Sequence, residues 1–285
     1  MIAMQPIVKE SPYATGKDIL ALSGVNISPE QAKANILANL ALGLQEVRPH
    51  IQQDVEIMLL CGGPSLNDFK DEIIDRRRAG MPLVTTNGAY NWCLENWMTP
   101  GAQIILDGRA FNKRFVTPVV DGCKYLLASQ CDPELVKSCP PEQTWLWHCG
   151  EADGVTEALN EFDDKRGVGR HWYPVYGSMT VMLRAIPLLI MLGYNKYHIY
   201  GFDSCLRDDN HHAYAQPEND CEDVMEVRCT NSDRPFKCHS WMVSQAQQFI
   251  DIQPMIRDLC EMVVYGDGLI AHIINTGAKL ARKEH

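Results

Sequence analysis

The chain has 285 residues, 46% of them hydrophobic, with a formal net charge of −10 and a pI near 5.4. That is enough material for one large α/β core or two smaller ones. The acidic balance argues against a nucleic-acid coat or an anionic membrane surface as the main partner.

Residues 1 to about 50 carry little strand signal. Ser28-Pro29-Glu30 is a good helix start, with a capping serine and a proline in the first turn. Ala32, Ile36, Leu40, Leu44 and Val47 then recur at helical spacing. The pattern predicts an N-terminal helical extension over 1–50, packed on a main domain over 51–285 or on a partner subunit, which would make a homo-oligomer.

From Ile57 onward, strands and helices alternate. Strands are predicted at Ile57–Cys61, Leu83–Thr86, Gln103–Leu106, Lys124–Ala128, Thr144–His148, Tyr197–Gly201 and Met262–Tyr265. Helices are predicted at Asp68–Arg78, Tyr90–Trp97, Pro133–Lys137 and Ser178–Leu192. This alternation implies an α/β, Rossmann-like fold: a mostly parallel sheet with helices on both faces. The longest apolar stretch, Ala185 to Leu192, contains Pro187 and is too short to span a bilayer. Eleven scattered cysteines, with no signal peptide before them, read as reduced thiols of a cytoplasmic protein.

In parallel sheets ligands sit beyond the carboxyl ends of the strands, so the residues that follow each strand matter. Ile57–Cys61 leads into Gly62-Gly63-Pro64-Ser65, where the glycines permit a sharp turn. With Ser65 or Asn67 as cap, the following helix start would point free N–H groups at an anion such as a nucleotide phosphate. The same stretch is equally an ordinary strand–helix connection. Asn87, Asp107-Gly108-Arg109, His148 and Gly201-Phe202-Asp203 end other strands and suggest a shared polar cleft. Tyr176-Gly177-Ser178 precedes the apolar helix and is a second phosphate cradle, with Ser178 as its cap, or else a plain cap.

Residues 204–238 form a long polar insertion with little periodicity, and the His211-His212-Ala213-Tyr214 stretch suits a lid over a cleft. His239 follows at a helix start, where the dipole keeps its imidazole neutral. It is either a general base or a capping histidine. Cys221, Cys229, Cys238 and His239, with His211 and His212, fit no compact Cys-x-x-Cys zinc knuckle. No P-loop, Gly-x-Ser-x-Gly elbow or His-Glu-x-x-His is present.

Taken in order, these motifs resemble a Rossmann-like superfamily. Its members include bacterial sialyltransferases of the Campylobacter lipooligosaccharide type, motility-associated flagellin glycosyltransferases and MptE-like 6-hydroxymethylpterin diphosphokinases. Cys61-Gly62-Gly63-Pro64-Ser65-Leu66 is similar to the Gly-x-Gly-Pro-Ser-Leu opening, with Cys61 in place of its first glycine. Val175-Tyr176-Gly177-Ser178 and Leu192-Gly193-Tyr194 through Gly201-Phe202-Asp203 resemble the second signature. Cys238-His239-Ser240 is similar to the sialyltransferase catalytic histidine segment, and Tyr265 to Ile270 resembles the end of the domain.

The resemblance implies that Gly62, Gly63, Pro64 and Ser65 line nucleotide phosphates. Asn87 and Asp107 would approach ribose, base or donor sugar, Gly177 and Ser178 would contact the nucleotide, and Asp203 is a further nucleotide-binding candidate. His239 would be the base, with Tyr214 and His212 assisting the departing phosphate. In the sialyltransferases, two tyrosines stabilise that phosphate; here the first position falls on or near Cys205, and Asp107 stands where they carry Asn.

The implied enzyme is a glycosyltransferase using a nucleotide-sugar donor, with no metal or other cofactor. Its acceptor hydroxyl would belong to a glycan, protein, nucleobase or small molecule. The alternatives are an Mg²⁺-ATP-dependent diphosphokinase acting on a hydroxymethyl group, with Mg²⁺ on Asp107 and Asp203, and a nucleotide-binding protein without catalysis.

Overall fold

The computed structural model describes residues 7–11, 19–23, 26–150, 154–167, 172–216 and 223–281. In chain order, a hairpin pairs β1 (Ile7–Ser11) with β2 (Ile19–Ser23), and α1 (Pro29–Leu40) precedes the short β3 (Gln45–Glu46) and β4 (Glu56–Leu60). Then come α2 (Lys70–Arg78), β5 (Leu83–Thr86), α3 (Ala89–Glu95), β6 (Ala102–Ile105), β7 (Lys124–Ala128), α4 (Pro133–Lys137) and β8 (Thr144–Cys149). They are followed by α5 (Val155–Arg166), β9 (Pro174–Val175), α6 (Val181–Met191) and β10 (Lys196–Tyr200). A second hairpin, β11 (Met225–Cys229) with β12 (Ser232–Cys238), leads to α7 (Ser240–Ile256), β13 (Glu261–Val264) and α8 (Leu269–Thr276). The chain is an α/β protein with a mostly parallel sheet and helices around it.

By internal contacts the chain divides into two compact units. One holds Met1–Ser23, Met58–Met81 and Lys196–His285, the other Gly24–Ile57 and Pro82–Asn195. In the first, the strand order is β13-β10-β4, with β10 and β13 parallel. Met58, Leu59, Leu60, Ile199 and Tyr200 are fully buried, as expected for strands covered on both faces. In the second, the order is β5-β6-β7-β8-β3, with β9 added beside β8, and these strands pair in parallel. Its core gathers Leu83, Ile104, Ile105, Tyr125, Leu127 and Trp147.

Several expectations need correction. The stretch before residue 50 contains the β1–β2 hairpin as well as a helix. Helix α1 starts where predicted, with Ser28 Oγ accepting from Gln31 N–H at 3.1 Å, but it ends at Leu40. Gly43 turns there with φ 65, and Val47 N–H then bonds the Leu146 carbonyl at 2.8 Å. The 204–238 insertion is not structureless, because β11 and β12 lie inside it. Alternation decides the hairpin: Val227 and Cys229 are buried while Glu226 and Arg228 face out. Among the described residues no helix is long and apolar enough to cross a membrane.

Candidate functional site

In the first unit the ends of β4 and β10 are laced together. Cys61 N–H donates to the Tyr200 carbonyl at 2.9 Å, and Gly63 N–H donates to the Gly201 carbonyl at 2.8 Å. Asp203, 4% exposed, accepts the Ser65 N–H on Oδ2 at 2.9 Å. Three glycines make room for it. A Cβ on Gly63 would strike the Asp203 carboxylate and sit 2.6 Å from the Gly201 carbonyl, and one on Gly268 would sit 2.7 Å from Asp203 Oδ1. Gly266, at φ 110, packs against Ser65 and the same carboxylate. Burial raises the Asp203 carboxyl above its ordinary value, against the pull of the Ser65 hydrogen bonds and Arg207.

The amides expected to point outward therefore point inward. The turn enters a 3₁₀ helix, Pro64–Phe69, at Gly63 with no side-chain cap, so neither Ser65 nor Asn67 caps it. Pro64 and Ser65 are buried. Asn67 Nδ2 instead donates to the Ala213 carbonyl at 2.9 Å.

That bond and a second, from Ala213 N–H to the Gly62 carbonyl at 2.9 Å, pin the His211–Tyr214 segment onto the glycine turn. A Cβ on Gly62 would collide with the Tyr214 hydroxyl and approach His212 Cδ2 to 2.6 Å. The rings then run in series. Tyr214 and His212 centroids are 5.5 Å apart, His212 and His211 4.5 Å, and His211 and His239 5.9 Å, the last pair edge to face.

His239, 5% exposed, is the N-cap residue of α7, where sequence put it. Its backbone N–H donates to Met242 Sδ at 3.4 Å, and its Nδ1 lies 3.3 Å from the Asp223 carbonyl. A carbonyl only accepts, so Nδ1 carries the hydrogen and a neutral ring presents Nε2 as the proton acceptor. The structure thus gathers Gly62, His212, Tyr214 and His239 around one ring series. Cys205, where a tyrosine would stand, is buried, and burial pushes its thiol up to about 11. It remains a neutral thiol at physiological pH.

The remaining predicted residues belong to the second unit. Asn87 ends β5 at φ 46, and its carbonyl accepts Gln103 Nε2 at 2.8 Å. Asp107 follows β6 and is already engaged: Arg109 donates through its backbone N–H and Nε at 2.9 Å each, and Asn26 Nδ2 donates at 3.0 Å. Gly177 adopts φ 152, where a Cβ would lie 2.8 Å from the Leu183 carbonyl. Ser178 does not cap α6; Thr180 does, with its side chain accepting from Leu183 N–H at 3.4 Å.

A magnesium site on Asp107 and Asp203 fits these residues poorly. One carboxylate is neutralised by Arg109, and the other is buried against glycine and an amide donor. Among the described residues no three His, Cys, Asp or Glu side chains form a metal-holding group. Cys221 of the zinc alternative lies outside the described residues.

Sequence reading named His148 as a strand end without its partner and passed over Arg184, both in the second unit. His148, 1% exposed in its side chain, holds Glu46 at 2.9 Å. Arg184 is buried in α6, where a lone charge inside an apolar run was the available signal.

Comparison with solved structures finds the MAf glycosyltransferase from Magnetospirillum magneticum AMB-1, at TM-score 0.64 and 13% identity. The match covers 86% of this chain but only 37% of that one, so this chain spans well under half of its neighbour's length. At this identity the likeness is one of fold. No curated protein matches the sequence. The profile of the 6-hydroxymethylpterin diphosphokinase MptE-like family matches residues 32–209, more than half of the chain. That stretch includes the glycine turn, Asn87, Asp107, Gly177, Ser178 and Asp203. The chain belongs to the 6-hydroxymethylpterin diphosphokinase MptE-like family.

Proposed function

We propose that this protein is a glycosyltransferase-type enzyme that moves a sugar from a nucleotide-sugar donor to an acceptor hydroxyl. The observation that carries the reading is the ring series from Tyr214 at the glycine turn, through His212 and His211, to His239. His239 Nε2 takes the proton of the acceptor hydroxyl as its oxygen bonds the sugar carbon, and the bond from that carbon to the donor phosphate breaks. Tyr214 donates a hydrogen bond to the departing phosphate, with His212 beside it. No step runs through a metal. The fold neighbour is a glycosyltransferase, which agrees with this reading.

The family's own description favours a second reading, transfer of a diphosphate from ATP to a hydroxymethyl group. It requires a divalent cation to neutralise the triphosphate. The engagement of Asp107 by Arg109 counts against it. A nucleotide binder without turnover is the third.

A thermal-shift screen of CMP, UDP, GDP and ATP, each with EDTA and with Mg²⁺, separates the three. A ligand at about a hundred times its dissociation constant stabilises a fold by roughly 2.7 kcal/mol. Stabilisation by CMP or a nucleoside diphosphate in EDTA, with consumption of the matching nucleotide sugar, is the expected result. A shift only with ATP and Mg²⁺ replaces it with the diphosphokinase. A nucleotide bound but never consumed leaves the third.

A further inference from the structure

Arg184 sits on the second turn of α6 and is 7% exposed. Its Nε donates to the Ser178 carbonyl at 2.9 Å, and its Nη1 donates to the carbonyls of Gly150 at 3.0 Å and Val175 at 2.6 Å. All three acceptors are neutral. Among the described residues no carboxylate pairs with the guanidinium, and Nη2, with two N–H donors, has no partner. A buried charge without a counter-charge is costly, and guanidinium groups match oxyanions in geometry as well as in charge.

The surroundings point the same way. Gly150 and Val175 end the parallel pair β8 and β9, so Arg184 stands at the carboxyl edge where α/β sheets take ligands. Gly177 can hold its φ of 152 only without a side chain, which brings the turn close against Arg184.

We propose that Arg184 Nη2, with the Gly177–Thr180 turn at the carboxyl edge of β8 and β9, binds an oxyanion: a phosphate or a carboxylate of a ligand. Nε and Nη1 hold the guanidinium in place through the three carbonyls, and Nη2 makes the contact. The proposal rests on second-unit residues alone and is independent of the role given to His239.

The test is titration calorimetry of the full chain with inorganic pyrophosphate, sulfate and acetate at constant ionic strength, at pH 5.5 and 8.5. Saturable binding is expected. Sulfate stays dianionic and arginine stays charged over that range, so sulfate affinity should be equal at both pH values. Arg184→Gln should weaken binding about tenfold or more, the loss expected of a charge-assisted hydrogen bond. Arg184→Gln also loosens three carbonyl ties, so Ser178→Asp serves as the second variant. It keeps the Ser178 carbonyl bond, places a like charge at the turn and should weaken binding to a similar degree.

Pyrophosphate and sulfate binding without acetate identifies a phosphate-type ligand, and acetate binding as well identifies a carboxylate. Absence of saturable binding overturns the proposal, as does affinity unchanged in both variants. Sulfate binding that fades between pH 5.5 and 8.5 would assign the anion to histidines and overturn it too.

Discussion

At the scale of single residues, two adjacent glycines have different jobs. A methyl on Gly62 meets the ends of two side chains, Tyr214 and His212, which can swing away. A methyl on Gly63 meets the Gly201 backbone carbonyl and the Asp203 carboxylate, which cannot. Gly62→Ala should therefore leave thermal stability nearly unchanged yet lower turnover about 10- to 100-fold, the range for misplacing catalytic groups by an ångström. Gly63→Ala should lower the melting temperature. Thermal unfolding and steady-state kinetics on the two variants check the contrast. Sequence identified this turn through its adjacent glycines; the groups of the chain that approach them, Asp203 at Gly63 and the 211–214 segment at Gly62, lie too far along the sequence to be read from the motif.

Asp203 carries a second residue-scale prediction. Its carboxyl ionises near 3.9 in an unfolded chain and higher in the fold, because burial penalises the charge. The folded state therefore holds its proton over a window in which the unfolded state has lost it. Stability falls as pH climbs from about 4 through the raised value. Asp203→Asn removes that slope, which urea unfolding between pH 4 and 8 should show as a flatter profile than wild type. A slope equal to wild type would mean that the carboxyl contributes nothing to it.

At the scale of elements, the strands of the sheet were legible because apolar runs such as Ile57–Leu60 and Leu126–Ala128 have no reading other than burial. Helix α5 was missed although Val155, Ala158, Leu159 and Phe162 have helical spacing, because charged residues dilute it. The β11–β12 hairpin was missed because its alternation is short and interrupted by a bulge between Val227 and Cys229. Helix α1 was expected to pack through apolar residues. It also docks through Asn39, whose Nδ2 donates to the Ser129 and Cys131 carbonyls at 2.9 and 2.8 Å.

The β3–β8 pair is tied by Glu46 and His148, and this hydrogen bond holds the Glu46 carboxyl below its ordinary value of 4.5. A lowered carboxyl stabilises the fold above its unfolded value and loses that contribution as pH falls through the folded one. His148→Gln should be less stable than wild type at pH 7, and the gap should narrow below about pH 4. Denaturant titrations at both pH values test this. A gap that widens in acid would contradict it.

At the scale of the whole molecule, the family profile ends at residue 209, before His211, His212, Tyr214 and His239. Family membership therefore says nothing about these residues, and their role rests on the ring series and on the Nδ1 contact that orients His239. The measurement that tests this most directly is release of nucleotide from CMP-, UDP- and GDP-sugars by wild type and His239→Ala, alongside the nucleotide affinity of each. A loss of about a hundredfold or more in turnover with affinity retained is the predicted result, as for removal of a general base. Equal loss of affinity and turnover, or unchanged turnover, would make His239 a helix cap and contradict the proposed chemistry.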